Sequence, residues 1–322
     1  MNNSLLTSIH TFIQQHNLLP SGSRVVLGLS GGPDSIFLLY ILADLHKQGI
    51  IQLTAAHLDH EWRADSSKDV KFCQMVTHKL GIPFVSKKIS ELSSAKWDGS
   101  KEEFGRVMRR QFLESVAQEI QADRIALAHH LQDQEETFFI RLIRGSSLTG
   151  LTAMRAQHGN YIRPLLEVNK QDIIAYLAEH DISYLIDPSN ESPLFLRNRI
   201  RNTVMPALRA CDTRFDQNFL ITLNRLKDTE HFLEQLTAET FAHITKTDNN
   251  TTRLHIPQLL ALHPVLVYRI LVYWFVQSRV PFDPSQKFFD EILRFLRQPG
   301  SKTHAIHQQW SLVKEKEWGM IK

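Results

Sequence analysis

Cysteine is scarce: 322 residues hold only Cys73 and Cys211, and no C-x-x-C pair occurs. That pattern leaves no dithiol for carrying sulfur and matches a reducing compartment. No apolar run is long enough for a bilayer; the greasiest, "VLVYRILVYWFV", is interrupted by Arg269. The N-terminus has neither the basic start nor the apolar core of a signal peptide, so a cytoplasmic protein without a membrane partner is expected. Charge of one sign is also lacking. Lys and Arg number 37 against 34 Asp and Glu, a net +3, so any case for nucleic acid must come from local clusters. There is no internal repeat, low-complexity tract, G-x-x-x-x-G-K-[ST], G-x-G-x-x-G or H-E-x-x-H. Apolar residues make up 43% and charged ones 22%, which marks an ordinary globular chain, long enough for two domains.

What is present is alternation. Residues 5–13 carry Leu5, Ile9, Phe12 and Ile13 on one helical face. Short apolar runs then read as strands: "RVVLGL" from Arg24, "IIQLTAAHL" from Ile50, "IPFVSKKI" from Ile82, "RIALAH" from Arg124 and "YIRPLL" from Tyr161. Amphipathic segments lie between and after them: Ser35 to Gly49, Asp65 to Leu80, Glu102 to Ile120, Asp133 to Arg144, and Asn169 to His180. This order predicts an α/β domain with a doubly wound, mostly parallel five-stranded sheet over residues 1–190. "DPSNESP", from Asp187, reads as a linker. Residues 191–322 read as a smaller α-rich domain, with helices over Leu196–Arg209, around Phe219–Ile244, over Pro257–Gln277 and over Ser285–Arg297. Only "TRLHI" and "WGMI" there look strand-like.

"SGGPDS", Ser30 to Ser35, closes the first strand and opens the next helix. Gly31 and Gly32 permit a tight turn, Pro33 suits a first helical turn, and Ser30 and Ser35 add hydroxyls. Free N–H groups and the positive end of the helix dipole make this an anion site, suited to pyrophosphate. Asp34 fits beside phosphates if Mg²⁺ stands between them. A capped strand-to-helix turn is the plainer alternative.

Two further strand ends carry chemistry: "AHLDHEWR", with His57, Asp59, His60 and Arg63, and "AHHLQDQEET", with His129, His130, Asp133 and Glu136. In open α/β sheets, ligands bind at such carboxyl ends. The His/Asp set has ligand types for a transition metal, but its adjacent histidines diverge on a strand. Asp133 and Glu136 share one helix face and could hold Mg²⁺ or an amine, or simply form the acidic first turn of a capped helix. Arg197, Arg199, Arg201, Arg209 and Arg214 cluster against one acid, Asp212. They form either a phosphate-binding stripe or a solvated face.

Together these blocks resemble a known family. "SGGPDS" resembles the SGGxDS loop of PP-loop ATP pyrophosphatases. "AAHLDHEWRADSSKD", "AHHLQDQEETFFIRLIRGSSLTGL", "IRPLLEVNKQDIIAYLAEHDISYLIDPSN" and "RNRIRNTVMPAL" are similar to the tRNA(Ile)-lysidine synthetases. The resemblance implies an ATP-dependent ligase that adenylates C2 of the wobble cytidine in tRNA(Ile) with a CAU anticodon. Lysine is then joined there, giving lysidine, AMP and pyrophosphate. The implied cofactors are ATP and Mg²⁺, and the implied partners are that tRNA and free L-lysine; a homodimer is compatible with the reading.

Carried over residue by residue, Ser30, Gly31, Gly32, Pro33, Asp34 and Ser35 bind ATP, with Asp34 on Mg²⁺. His57, Arg199 and Arg201 reach the nucleotide. Asp34, His129, Asp133 and Glu136 are catalytic, and Asp133 and Glu136 hold the lysine amine. Arg106, Arg109, Arg144 and Arg197 contact substrate. Gly105 and Arg110 depart from the family's usual alanine and tyrosine, with Phe112 as a substitute aromatic. The α-rich part is expected to bind tRNA, and a further C-terminal domain carried by many bacterial members is expected to be absent. The alternatives are a tRNA-thiolating enzyme of the same superfamily and a non-catalytic nucleotide- or tRNA-binding module.

Overall fold

The computed structural model describes residues 2–63, 65–92, 101–152, 154–186, 195–248, 251–282 and 285–322. The "DPSNESP" segment lies outside them. The chain divides into two compact units, Met1–Asn224 and Arg225–Lys322. The first unit therefore takes in helices beyond residue 190 that the sequence reading grouped with the second domain.

The first unit runs α1 (Asn2–Gln15), β1 (Arg24–Gly28), α2 (Pro33–Lys47), β2 (Gln52–Asp59), α3 (Ser67–Leu80), β3 (Phe84–Lys88), α4 (Ile89–Leu92), α5 (Lys101–Glu119) and β4 (Arg124–Ala126). It continues with α6 (Leu131–Ile143), α7 (Leu148–Leu151), β5 (Gln157–His158), β6 (Tyr161–Ile162), α8 (Lys170–Glu179) and α9 (Leu196–Arg199). A π-helical segment (Ile200–Val204), α10 (Met205–Cys211) and the start of α11 (Phe215–Ile244) complete it. The sheet order is β3-β2-β1-β4-β6-β5. All pairings are parallel except β5 with β6. The sheet is mostly parallel, as expected, but it has six strands rather than five; the extra one is a two-residue edge piece too short to leave a sequence pattern.

Both sheet faces are covered. Val25, Leu27 and Leu29 pack with α1, α2 and α8 in one core, whereas Val26, Ala56, Leu58 and Ile125 pack with α5 in another. A strand buried on both faces reads as a continuous apolar run rather than an alternation, which is why "RVVLGL" was legible. Helix α2 is buried along nearly its whole length, anchoring the turn that precedes it.

The second unit holds α12 (Ile256–Leu260), α13 (Pro264–Gln277) and α14 (Gln286–Arg297) besides the rest of α11. It also holds a five-stranded antiparallel sheet, ordered β7-β8-β11-β10-β9. These strands are β7 (Thr245–Asp248), β8 (Thr251–His255), β9 (Lys302–His307), β10 (Trp310–Glu315) and β11 (Trp318–Ile321). This part is thus helical with a sheet that sequence patterning underestimated. One helix expected over Pro257–Gln277 is two, because His263 caps α13 and Pro264 begins it. Arg269 is accounted for: its guanidinium grips Glu230 through both carboxylate oxygens, at 2.8 and 3.0 Å. Lys314, buried in β10, donates to the carbonyls of Leu296 and Gln298 at the end of α14.

Candidate active site

Strand β1 delivers the chain into the turn before α2. Gly31 has φ +83°, and a Cβ there would meet Leu185 Cδ1 at 2.7 Å, so both conformation and space require glycine. Its carbonyl accepts from Leu185 N at 2.9 Å. Gly32 caps α2 with Pro33 in the first turn. Ser35 Oγ donates to Gly32 O at 3.0 Å and accepts from Ser30 N at 3.2 Å. Ser30 Oγ lies 3.0 Å from Ser35 Oγ and accepts from Gly32 N at 3.3 Å. The turn is therefore shaped before any ligand arrives, with the opening N–H groups of α2 at its mouth.

Asp34 sits in that first turn with its two oxygens differently placed. Oδ2 accepts from Lys170 Nζ at 3.0 Å, whereas Oδ1 is buried without a hydrogen-bond partner. Lys170 is the first residue of α8. Its helix is capped by Asn169, whose side chain accepts from Gln171 N at 2.8 Å, and Lys170 N donates to Gln132 Oε1 at 2.9 Å. Lys170 escaped sequence reasoning; the one local signal was its place just inside an asparagine-capped helix.

His130 lies between this loop and α6. Its Nε2 is 3.6 Å from Asp34 Oδ2 and 3.5 Å from Asp133 Oδ2, and its backbone N donates to Asp133 Oδ2 at 3.0 Å. Burial would raise the Asp133 carboxyl, but His130, His129, Arg197 and the His130 N–H together hold it down to about 2. Burial lowers His129 to about 4 against the pull of Asp133, with Arg163 and Arg197 adding to the lowering. Its Nδ1 is buried and unpartnered.

Glu136, only 1% exposed, is gripped from outside. Arg197 Nε donates to it at 2.8 Å, and Arg201 donates through Nε at 2.6 Å and Nη2 at 3.0 Å. Arg197 also comes within 3.8 Å of Asp133. Behind this layer, Glu135 is bound by Arg209, which also donates to Asp216 at 2.7 Å. Burial pushes Glu135 up to about 8 despite Arg209.

A cavity of about 300 Å³ opens over the carboxyl ends of β1, β2 and β4. Ser30, Asp34, Ser35, His57, Arg109 and His129 line it. His57 is buried with Nδ1 2.8 Å from Leu29 O, and burial lowers its pKa despite that contact. Arg106 pairs with Glu103 on the exposed side of α5, and Arg144 and Arg199 are exposed; none of the three lines the cavity. Phe112 is fully buried in the core beneath the sheet, so it does not present its ring to a ligand.

A glycine turn on a helix N-terminus, at the carboxyl edge of a parallel sheet, defines an anion-binding α/β domain of the nucleotide-binding class. The chain belongs to the PP-loop domain family, whose pattern matches residues 1–208. It is 30% identical over 308 residues to the tRNA(Ile)-lysidine synthase of Bacillus cereus, covering 92% of this chain and 65% of that one. It is 37% identical over 240 residues to the enzyme of the same name from Geobacter sulfurreducens, covering 73% and 51%. The chain thus spans just under two thirds of the first relative and about half of the second. A solved U34-tRNA thiolase from Methanococcus maripaludis, holding a [4Fe-4S] cluster, shares the fold. Its TM-score is 0.59 at 19% identity, over 69% of this chain and 78% of that one. No helix among the described residues is long and apolar enough to cross a membrane.

The unpartnered Asp34 Oδ1 suits one ligand position of a hard divalent cation. Among the described residues no group of three or more His, Cys, Asp or Glu side chains could hold a metal ion; phosphate oxygens would have to complete the shell.

Proposed function

We propose that this chain ligates lysine to C2 of the wobble cytidine of tRNA(Ile) with a CAU anticodon, in the cytoplasm, at the expense of ATP. The observation that carries the reading is the position of His130. It lies within 3.6 Å of the loop carboxylate Asp34 and within 3.5 Å of Asp133 on α6, so a phosphate site and a cation site adjoin. The lysidine synthase relatives supply the substrates that fit such a pair.

In the first step the cytidine O2 attacks the α-phosphorus of ATP, and pyrophosphate leaves. The Ser30–Ser35 turn and the α2 N-terminus hold the departing charge, and Lys170 stands beside it as the cation that the loop itself lacks. Mg²⁺, held by Asp34 Oδ1 together with phosphate oxygens, would neutralise further charge there. In the second step the lysine ε-amine, after its ammonium proton is lost to solvent, attacks C2; the C2–O bond to AMP breaks, AMP leaves, and the amine's surplus proton passes to solvent. Asp133, an anion at neutral pH because its pKa is held to about 2, receives the ammonium. Glu136 is committed to Arg197 and Arg201 and sets the place of those guanidinium groups. His129 is neutral at pH 7, because burial lowers it to about 4, and flanks the base without adding charge.

Sulfur transfer, the rival chemistry, would need a reactive thiolate. Cys73 is buried and its thiol is pushed up to about 12 by burial, reinforced by Asp69, while Cys211, at the end of α10, is exposed and has no C-x-x-C partner and no place in the cavity lining. The deciding experiment incubates the protein with ATP, Mg²⁺, labelled lysine and unmodified tRNA(Ile). Label is expected in RNA, with equimolar AMP and pyrophosphate; RNA left unlabelled by folded protein would end the proposal.

A further inference from the structure

The glycine turn and α6 account for phosphates and an amine. The rim of the cavity beyond His57 holds a feature that neither uses. Trp62, just past β2, lines the cavity yet remains 47% exposed. Its indole stacks on the His60 imidazole, with ring centroids 4.7 Å apart and planes 27° from parallel. Arg109 Nη2 donates to His60 Nε2 at 2.9 Å, which fixes the imidazole beneath the indole. Inside α5, Gly105 leaves the space that the ring edge occupies. A Cβ there would fall 2.7 Å from both Cζ2 and Cη2 of Trp62 and 3.3 Å from His60 Cε1. Glycine is a poor helix residue, and its place in α5 follows from seating this ring.

A large flat ring that is propped, pinned and left open to solvent at a cavity mouth is not core packing. We propose that Trp62 is a stacking platform for a nucleobase. Every base offers a π-face to such a ring without need of hydrogen-bond readout, and Arg63, paired with Asp69, and Arg109 line the same cavity where sugar and phosphate would follow. The inference rests on the proposed function for its ligands: the base is either the adenine of ATP or an unpaired base of the RNA.

The test separates these sources. The Trp62 emission, taken as the difference between wild type and W62F, is titrated with a non-hydrolysable ATP analogue and, separately, with an unmodified anticodon stem-loop. Saturable quenching by one of them is expected and names the base; no quenching by either overturns the proposal. This arm needs no turnover, so it fails or succeeds independently of lysine ligation. In steady state, W62A should raise the KM of the quenching ligand about tenfold and leave kcat within about twofold, with W62F restoring the KM. Loss of kcat together with a lowered melting temperature, and no KM change, would assign a structural role instead and overturn the platform. G105A, which crowds the ring off its seat while retaining it, should reproduce the KM shift of W62A; wild-type quenching and KM in G105A would also refute the seating argument.

Discussion

Lys170 Nζ lies 3.0 Å from Asp34 Oδ2, across 136 residues of chain. The pair joins the first residue of α8 to the first turn of α2, at the point where the glycine loop presents its N–H groups. A glycine loop that carries an aspartate and no lysine thereby acquires a lysine from another element.

Replacing Lys170 by methionine should slow ATP-dependent adenylation about a hundredfold, the scale seen when one preorganised charge-stabilising group is removed. The ion pair is partly exposed, with side-chain exposures of 39% and 23%, so stability should change by about 1 kcal/mol or less. Pyrophosphate release and thermal unfolding, measured together, check both statements. A K170M protein that adenylates normally removes Lys170 from phosphate handling.

Glu136 and Asp133 should separate in their effects. E136Q leaves Arg197 and Arg201 without a buried counter-charge and should cost about 3 kcal/mol in urea unfolding. D133N keeps the side-chain shape but removes the charge that faces His130 and Arg197 and weakens the acceptor to the His130 N–H, so the stability loss should be smaller than that of E136Q, about 2 kcal/mol. Its lysine KM should rise at least tenfold, on the order of a lost charge-assisted contact. Equal destabilisation by the two variants would contradict this division of labour.

The pH dependence follows from the depressed groups. His129, lowered to about 4, and Asp133, lowered to about 2, have little capacity to store the proton of a lysine ammonium at pH 7. The lysine step should therefore accelerate from pH 7 to 9, tracking the fraction of free amine, whereas a bell centred near 7 would point to another base. Stability should respond in the acid range. Between the ordinary histidine value and about 4, the unfolded chain takes up a proton that folded His129 refuses, so stability falls as pH drops through that window. The loss approaches about 3 kcal/mol and should be absent in H129N.

Gly31→Ala should destabilise by about 2 kcal/mol or more, since φ +83° and a 2.7 Å approach to Leu185 act together. Nucleotide binding should weaken as well, because displacing the turn moves the N–H groups that open α2. Binding of an ATP analogue by calorimetry, at a temperature where the variant is folded, separates the two effects.

The features readable from sequence were those encoded locally. The Ser30–Ser35 turn, the doubly buried run at Val25–Leu29 and the acidic start of α6 are all short patterns. What escaped was set by partners far along the chain. Nothing near Asp34 announces Lys170, and nothing near Glu136 says that Arg197 and Arg201, rather than the neighbouring Arg199, will turn toward it. Gly105, a departure from the family pattern in sequence, is explained by Trp62, which packs against it from 43 residues away. In the second unit, β9 and β10 are joined without a glycine or proline signal, and β10 carries Lys314 on its buried side, so a period-two reading fails there. The break between α12 and α13 is encoded locally by His263 and Pro264, but the apolar run continues across it and hides it from a periodicity reading.

The separation of Asp34 from Lys170 also has a meaning in time. Synthesis exposes the chain from its N-terminus, so β1, the glycine turn and α2 leave the ribosome about ten seconds before α8 does. Throughout that interval the turn can form, because its serine ring is local, but Asp34 stands without its cation. On the proposed role of Lys170, nucleotide grip would be deferred until α8 has docked, and an interrupted chain would hold a local loop whose aspartate still lacks its partner.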